Sequence, residues 1–247
     1  MRPRPFSSAV LLVAVRAVRA ALAVLAVLAT LLWAAGRGVA EPPASPAASE
    51  LPEPRPPTEA VGQPPWKKVK ELDQVIVERA DSTLDRKPWS RGTTLLDAPL
   101  AVVARHLLDF ASLPRYAPKI VAVRIVEQGA DHAVVYYRLD LPWPLSDRHW
   151  TVAYRWRLDD QHFQMAWTDA NDRQPSDVKK AVLVEIARGG WVLDSDGPNR
   201  TRALVVQLVS LGGSWLPRSV IEETVWKQPL ETFRGIRRAL SEAKNPN

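Results

Sequence analysis

Two apolar runs of period two flank a proline-rich break near the middle of the chain. Val134, Tyr136, Arg138 and Asp140 alternate with Val135, Tyr137, Leu139 and Leu141; after the break, Trp150, Val152, Tyr154, Trp156 and Leu158 alternate with Thr151, Ala153, Arg155 and Arg157. This periodicity predicts two half-buried, paired strands. Weaker versions of the pattern recur on both sides. Val69, Val75, Ile76 and Val77 read as one opening strand, residues 91–97 as a second and residues 118–127 as a third, followed by a turn at Gly129-Ala130-Asp131. Phe163, Met165 and Trp167 alternate with polar partners, and beyond a polar loop at 169–177 further strands are predicted at 181–186, 190–194 and 201–210, the last two joined by Asp196-Gly197-Pro198-Asn199. The pattern amounts to an antiparallel sheet of about seven strands.

Helical spacing occurs twice. Asp97 or Ala98 caps the first segment, Pro99 suits an early helical position, and Leu100, Val103, Leu107, Leu108 and Phe110 follow until Pro114 ends it. Leu211-Gly212-Gly213 then breaks the sheet, and Ser214 caps a closing helix with Pro217 in its first turn and Leu216, Val220, Ile221, Val225 and Trp226 on its apolar stripe. Pro229 removes an N–H from the ladder, so a kinked helix in two pieces is expected, with Leu230, Phe233, Ile236 and Leu240 continuing the stripe.

The break itself reads Leu141-Pro142-Trp143-Pro144-Leu145-Ser146-Asp147-Arg148-His149-Trp150. Both prolines fix φ and push the residue before them toward extended geometry, so a stiff connection follows. The segment resembles the "PxPLSDRD"-like stretch of the START (steroidogenic acute regulatory protein-related) lipid-transfer family, within the wider START-like and polyketide cyclase-like superfamily. The resemblance spans about residues 66–243, and it departs at His149, where the family often has a second acid. It implies an α+β helix-grip fold, a curved antiparallel sheet wrapped around a long C-terminal helix, with an apolar cavity between them for one lipid.

The residues agree with that picture independently, since a curved sheet closed by an amphipathic helix makes a concave apolar site. Trp150 and Tyr154 lie on one candidate inward face, Met165 and Trp167 on the next, and Val205 and Gln207 on another, with Leu216, Val220 and Thr224 contributed by the closing helix. Each large apolar residue has a plainer reading as core packing. Gln207 is the sharper candidate, because a polar group among apolar neighbours needs a partner and a ligand head group would provide one. Asp147 and Arg148 read either as a structural pair pinning the turn or, for Arg148, as a contact to a head group; neighbours in a strand point to opposite faces and cannot both line one cavity. Arg138 and Asp140 share a face and raise the same question.

Charge changes the picture only after partition. The net charge is +6, but residues 1–40 hold five arginines and no acid, leaving 28 basic against 27 acidic residues, a net of +1, for the rest. The folded part has no basic stripe for nucleic acid. Arg2, Arg4, Arg16 and Arg19 precede an apolar run over 20–35 broken only by Thr30, and Gly38 with Ala40 offers small residues for cleavage. Residues 1–40 therefore read as a signal peptide for export to the periplasm or beyond, or as an anchor in the inner membrane, the run falling short of the roughly 20 residues a span needs. Residues 41–65, rich in proline and alanine, read as a disordered tether, and 66–247 as the folded domain.

No cysteine is present, which removes disulfides and thiolate chemistry. Of His106, His132, His149 and His162, His106 has Asp109 three residues on along a predicted helix, a lone pair that reads as a surface contact, so no metal and no cofactor is expected. The expectation is a monomeric, non-catalytic carrier of a lipid or sterol-like molecule with transient membrane contact. Two alternatives stay open: a polyketide cyclase or aromatase using Tyr154, His149 or Arg148, and a non-catalytic envelope interaction module.

Overall fold

Alternation along the strands builds one large sheet. The computed structural model describes residues 66–81, 88–117, 119–141, 146–176, 181–210 and 218–244. Among these, ten strands form: β1 (Lys67–Leu72), β2 (Val75–Asp81), β3 (Pro88–Leu96), β4 (Ile120–Gln128), β5 (His132–Leu139), β6 (Arg148–Leu158), β7 (His162–Asp169), β8 (Val182–Leu183), β9 (Ile186–Ser195) and β10 (Thr201–Ser210). Their spatial order is β1-β2-β3-β10-β9-β7-β6-β5-β4, antiparallel throughout, while β8 runs parallel to β6 off that path. The α+β class and the C-terminal helix packed on the sheet are as expected; the strand number is larger than the expected seven.

Three local expectations change. The opening strand is two, β1 and β2, joined by a two-residue hairpin in which Asp73 and Gln74 both adopt positive φ, 53° and 59°. Primed hairpins demand this geometry and usually use glycine or asparagine, so the sequence carries no turn signal there. Of the apolar run 181–186, Val182 and Leu183 form a two-residue strand and Ile186 opens the next one, expected only at 190–194. Gly197, at φ 98°, supplies the left-handed residue of the β9–β10 turn.

Helix α1 spans Leu100–Leu108, and Pro99 is its N-cap residue. Pro114 does not end the segment. A 3-10 turn, Phe110–Ser112, capped by the Asp109 side chain, leads into α2 (Leu113–Tyr116), whose first turn accepts Pro114 because its missing N–H has no intrahelical partner there. Helix α3 runs unbroken from Arg218 to Lys244, through Pro229. The expected two pieces are one, because tertiary contact holds the helix where local propensity would break it: an ideal Cβ at Gly92 on β3 would lie 2.7 Å from Pro229 Cβ and 3.0 Å from Phe233 Cε2. The proline face thus seats on a bare glycine.

The main core lies between the sheet and the helices. Val75, Val77, Leu96, Val103, Phe163, Met165, Leu193, Val205, Leu230, Phe233 and Ile236 are all buried in it, and Phe233 meets Trp191 edge-on at 5.5 Å. A smaller cluster of Trp89, Val206 and Leu208 occupies the opposite face, where Arg91 sits 4.3 Å over the Trp66 ring. Among the described residues no helix is long and apolar enough to cross a membrane. The expected leader or anchor, the tether, residues 142–145 of the proline segment and Leu216 lie outside the described residues.

Candidate functional site

Register assembles one row across the inner face of the sheet. Gln207 stands opposite Ser90 on β3 and Gly189 on β9; Gly189 stands opposite Trp167, Trp167 opposite Tyr154, and Tyr154 opposite Ala133. Parity fixes the face, since Val205 is in the main core and Val209 packs against it from the same side of β10. Gly189 is small for two reasons: a Cβ there would run into the Val206 carbonyl oxygen of the paired strand and would fall 2.5 Å from Trp167 Cζ2, the indole that lies across β9.

The aromatic rings along this row touch in sequence. Trp150 lies 5.6 Å from Tyr137, Tyr137 meets Tyr154 edge-on at 6.5 Å with their hydroxyls 3.0 Å apart, and Tyr154 lies 6.1 Å from Trp167 and 4.8 Å from Phe110. Packing differs along the sheet. One end is sealed by Phe163, Leu193 and Phe233, each 0% exposed, whereas Trp150, Tyr154 and Trp167 remain only partly buried. Burial nonetheless pushes the Tyr154 phenol up to about 12, with the Tyr137 hydrogen bond opposing. Trp150, Tyr154 and Trp167 pack against the edge of the main core and are the part of the inner face that protein covers least completely.

Polar groups sort by face. Arg148 continues the inner row of Trp150, stands opposite Leu139 and is 4% exposed; its Nη1 donates to the Ser146 carbonyl, and burial lowers its pKa. Asp147 turns the other way, to Arg138, which donates from Nε and Nη2 to Asp147 Oδ2 at 2.9 and 2.6 Å. That hydrogen bond holds the Asp147 carboxyl below the usual carboxylate range. Asp147 is thus the structural member of the pair, and Arg148 is the one presented inward. Arg138, expected as a cavity residue, stands on the face opposite Tyr137 and Leu139 because its position in β5 has the other parity.

His149 also lies on that outer face, buried beside Tyr136 at 6.0 Å, its pKa lowered first by desolvation and then by the charge of Arg138. Asn171 closes the same face, its Oδ1 accepting from the Thr151 N–H at 3.0 Å and its Nδ2 donating to the Val184 carbonyl at 2.9 Å.

Of the residues singled out from sequence, the inner face brings together Arg148, Trp150, Tyr154, Met165, Trp167, Val205 and Gln207. Val220 and Thr224 lie on α3 with side chains outside the described residues. Sequence reading passed over Tyr137 and Phe110. Tyr137 shares its parity with Val135 and Leu139 and was legible; Phe110 reaches the row through a 3-10 turn that helical spacing does not reveal.

No family model matches the sequence. An uncharacterized protein of Pseudomonas aeruginosa is 23% identical over 177 residues, covering 70% of this chain and 86% of that one. Among solved structures, the STAR-related lipid transfer protein from Xanthomonas axonopodis matches with a TM-score of 0.64 at 21% identity, over 71% of this chain and 98% of that one. Human StAR-related lipid transfer protein 5 matches with a TM-score of 0.66 at 14% identity, over 73% of this chain and 88% of that one. The fold is START-like, and the helix-grip architecture implied by the proline segment holds.

Proposed function

We propose, with the START-like fold as premise, that this chain is a non-enzymatic carrier that binds one lipid or sterol-like molecule between the sheet and α3. The observation that carries the reading is the row of partly exposed aromatics, Trp150, Tyr154 and Trp167, on the inner face beyond the sealed end of the core, which would wall a recess for a ligand. An apolar ligand of that length would take up the exposed surface and gain about 25 cal/mol for each Å² removed from water. Both solved structures named above are lipid transfer proteins by name, which supports the ligand class.

The three residues weighed for proton transfer favour a carrier over a cyclase. Tyr154, with its phenol pushed up to about 12, holds its proton at neutral pH; Arg148 cannot give one up; and His149 faces away from the recess. Export of the carrier to the cell envelope, as a monomer making transient membrane contact, is supported by the arginines and apolar run of residues 1–40. An uncleaved run would tether the same domain to the inner membrane through residues 41–65.

The test is equilibrium binding by the purified full chain of dehydroergosterol and of methyl 12-(1-pyrenyl)dodecanoate, read as probe emission sensitised by tryptophan. Saturable transfer at one probe per chain is expected for at least one of them. Failure of both to saturate would overturn the reading.

A further inference from the structure

Gln207 is nine-tenths buried on the inner face of β10, and its Nε2 has no hydrogen-bond partner. A primary amide brings two donors and an acceptor, and leaving a buried donor unpaired is costly enough that native proteins rarely do so without purpose. The neighbours explain why the group stays unpaired. Gly189 opposite has no side chain, the Ser90 hydroxyl opposite on β3 makes no hydrogen bond to Nε2, Val205 and Val209 flank Gln207 on its own strand, and Trp167 spreads over the glycine. The amide therefore stands at the end of the aromatic row, where a ligand lying along Tyr154 and Trp167 would bring its polar end.

We propose that Gln207 selects the cargo, its amide N–H donating to an uncharged oxygen acceptor, a hydroxyl, carbonyl or ester oxygen, on an otherwise apolar molecule. This deepens the carrier reading and rests on it. An ionised head group is disfavoured at this position. Gln207 is neutral, its cross-strand neighbours Ser90 and Gly189 carry no charge, and Arg148, the cation of the inner face, stands on β6, separated from β10 by β9 and β7, and donates to the Ser146 carbonyl. A carboxylate or phosphate would lose its hydration there without an opposite charge from these neighbours.

Three probes with one pyrene and one twelve-carbon chain separate the terms: 1-dodecylpyrene, methyl 12-(1-pyrenyl)dodecanoate and the free acid at pH 8. An ester accepts hydrogen bonds and cannot donate, so it isolates the Gln207 donor. The full chain is expected to bind the ester about ten-fold more tightly than the hydrocarbon, the size of one buried hydrogen bond gained, and the ester more tightly than the acid. Gln207→Leu should erase the ester preference, read as the ratio of ester to hydrocarbon affinity. Gln207→Met, closer in shape and equally without a donor, serves the same purpose if the leucine variant does not fold. An ester preference that survives in a folded variant, an acid bound more tightly than the ester, or equal binding of ester and hydrocarbon by the native chain would each overturn the assignment while leaving the carrier reading intact. Binding of none of the three would overturn both.

Discussion

At Gly92 the closing helix lays Pro229 and Phe233 against bare strand backbone, and replacing that glycine by alanine measures how rigidly α3 is seated. The added Cβ would lie 2.7 Å from Pro229 Cβ, 3.0 Å from Phe233 Cε2 and 3.5 Å from Val205 Cγ1. Carbon atoms rest at about 3.5–4.0 Å, so relief of the first contact requires about 1 Å of movement. Pro229 Cβ belongs to a ring fixed to the backbone and cannot rotate away. The helix itself must lift, loosening Leu230, Phe233 and Ile236, none more than 2% exposed. Overpacking of this kind costs about 1–3 kcal/mol, and the lower entropy of the unfolded alanine chain offsets about 0.4–1 kcal/mol. A net loss of about 1–2 kcal/mol corresponds to a fall in Tm of about 3–6 °C for a domain of this size. Thermal unfolding followed by circular dichroism reads it directly. Pro229→Ala keeps the offending Cβ and should not rescue Gly92→Ala, whereas Pro229→Gly removes it, so the costs of that second pair should be less than additive. A Gly92→Ala protein as stable as the native chain, or strict additivity with Pro229→Gly, would refute the seating.

Gln74 holds φ 59° at the β1–β2 turn, and Gln74→Gly should stabilise the protein by about 0.5–1 kcal/mol in urea denaturation, since only glycine takes that conformation without strain. Asn171→Ala strips partners from the Thr151 N–H and the Val184 carbonyl and should cost about 2–4 kcal/mol, with faster amide exchange confined to β6 and the segment around Val184. The Tyr154 phenol ionises at about 12 in the folded chain against 10.0 ordinarily, so the unfolded chain releases its proton first. That contribution to stability is fully present below pH 10 and is lost as pH rises toward 12; urea midpoints of the native chain should fall more steeply above pH 10 than those of Tyr154→Phe, and parallel slopes would refute the desolvated site.

The strands flanking the proline segment were legible because one face of each is buried and the other is not, which is what period two encodes. The β1–β2 hairpin was not, because its left-handed turn is held from far along the chain: Arg234 donates to Asp73 Oδ2 at 2.7 Å, Arg237 to the Asp73 carbonyl, and Thr94 to the Gln74 carbonyl at 2.6 Å. Pro229 misled for a related reason, its helix being stabilised by contact with Gly92 rather than by local propensity. Within the site, the sequence separated Asp147 from Arg148 correctly, but only register told which of them turns inward. Arg138 was misplaced by that same ambiguity of one residue. Gln207 was legible from the start as a polar residue in an apolar row.

The most direct test of a ligand-holding recess is its content. The full chain, expressed and purified without added lipid, would be extracted with organic solvent and the extract analysed by mass spectrometry against an equal amount of an unrelated protein purified in the same way. One hydrophobic, uncharged molecule per chain, absent from the control, is predicted. A native chain that yields no such molecule, and that stays empty after incubation with a total lipid extract, would contradict it.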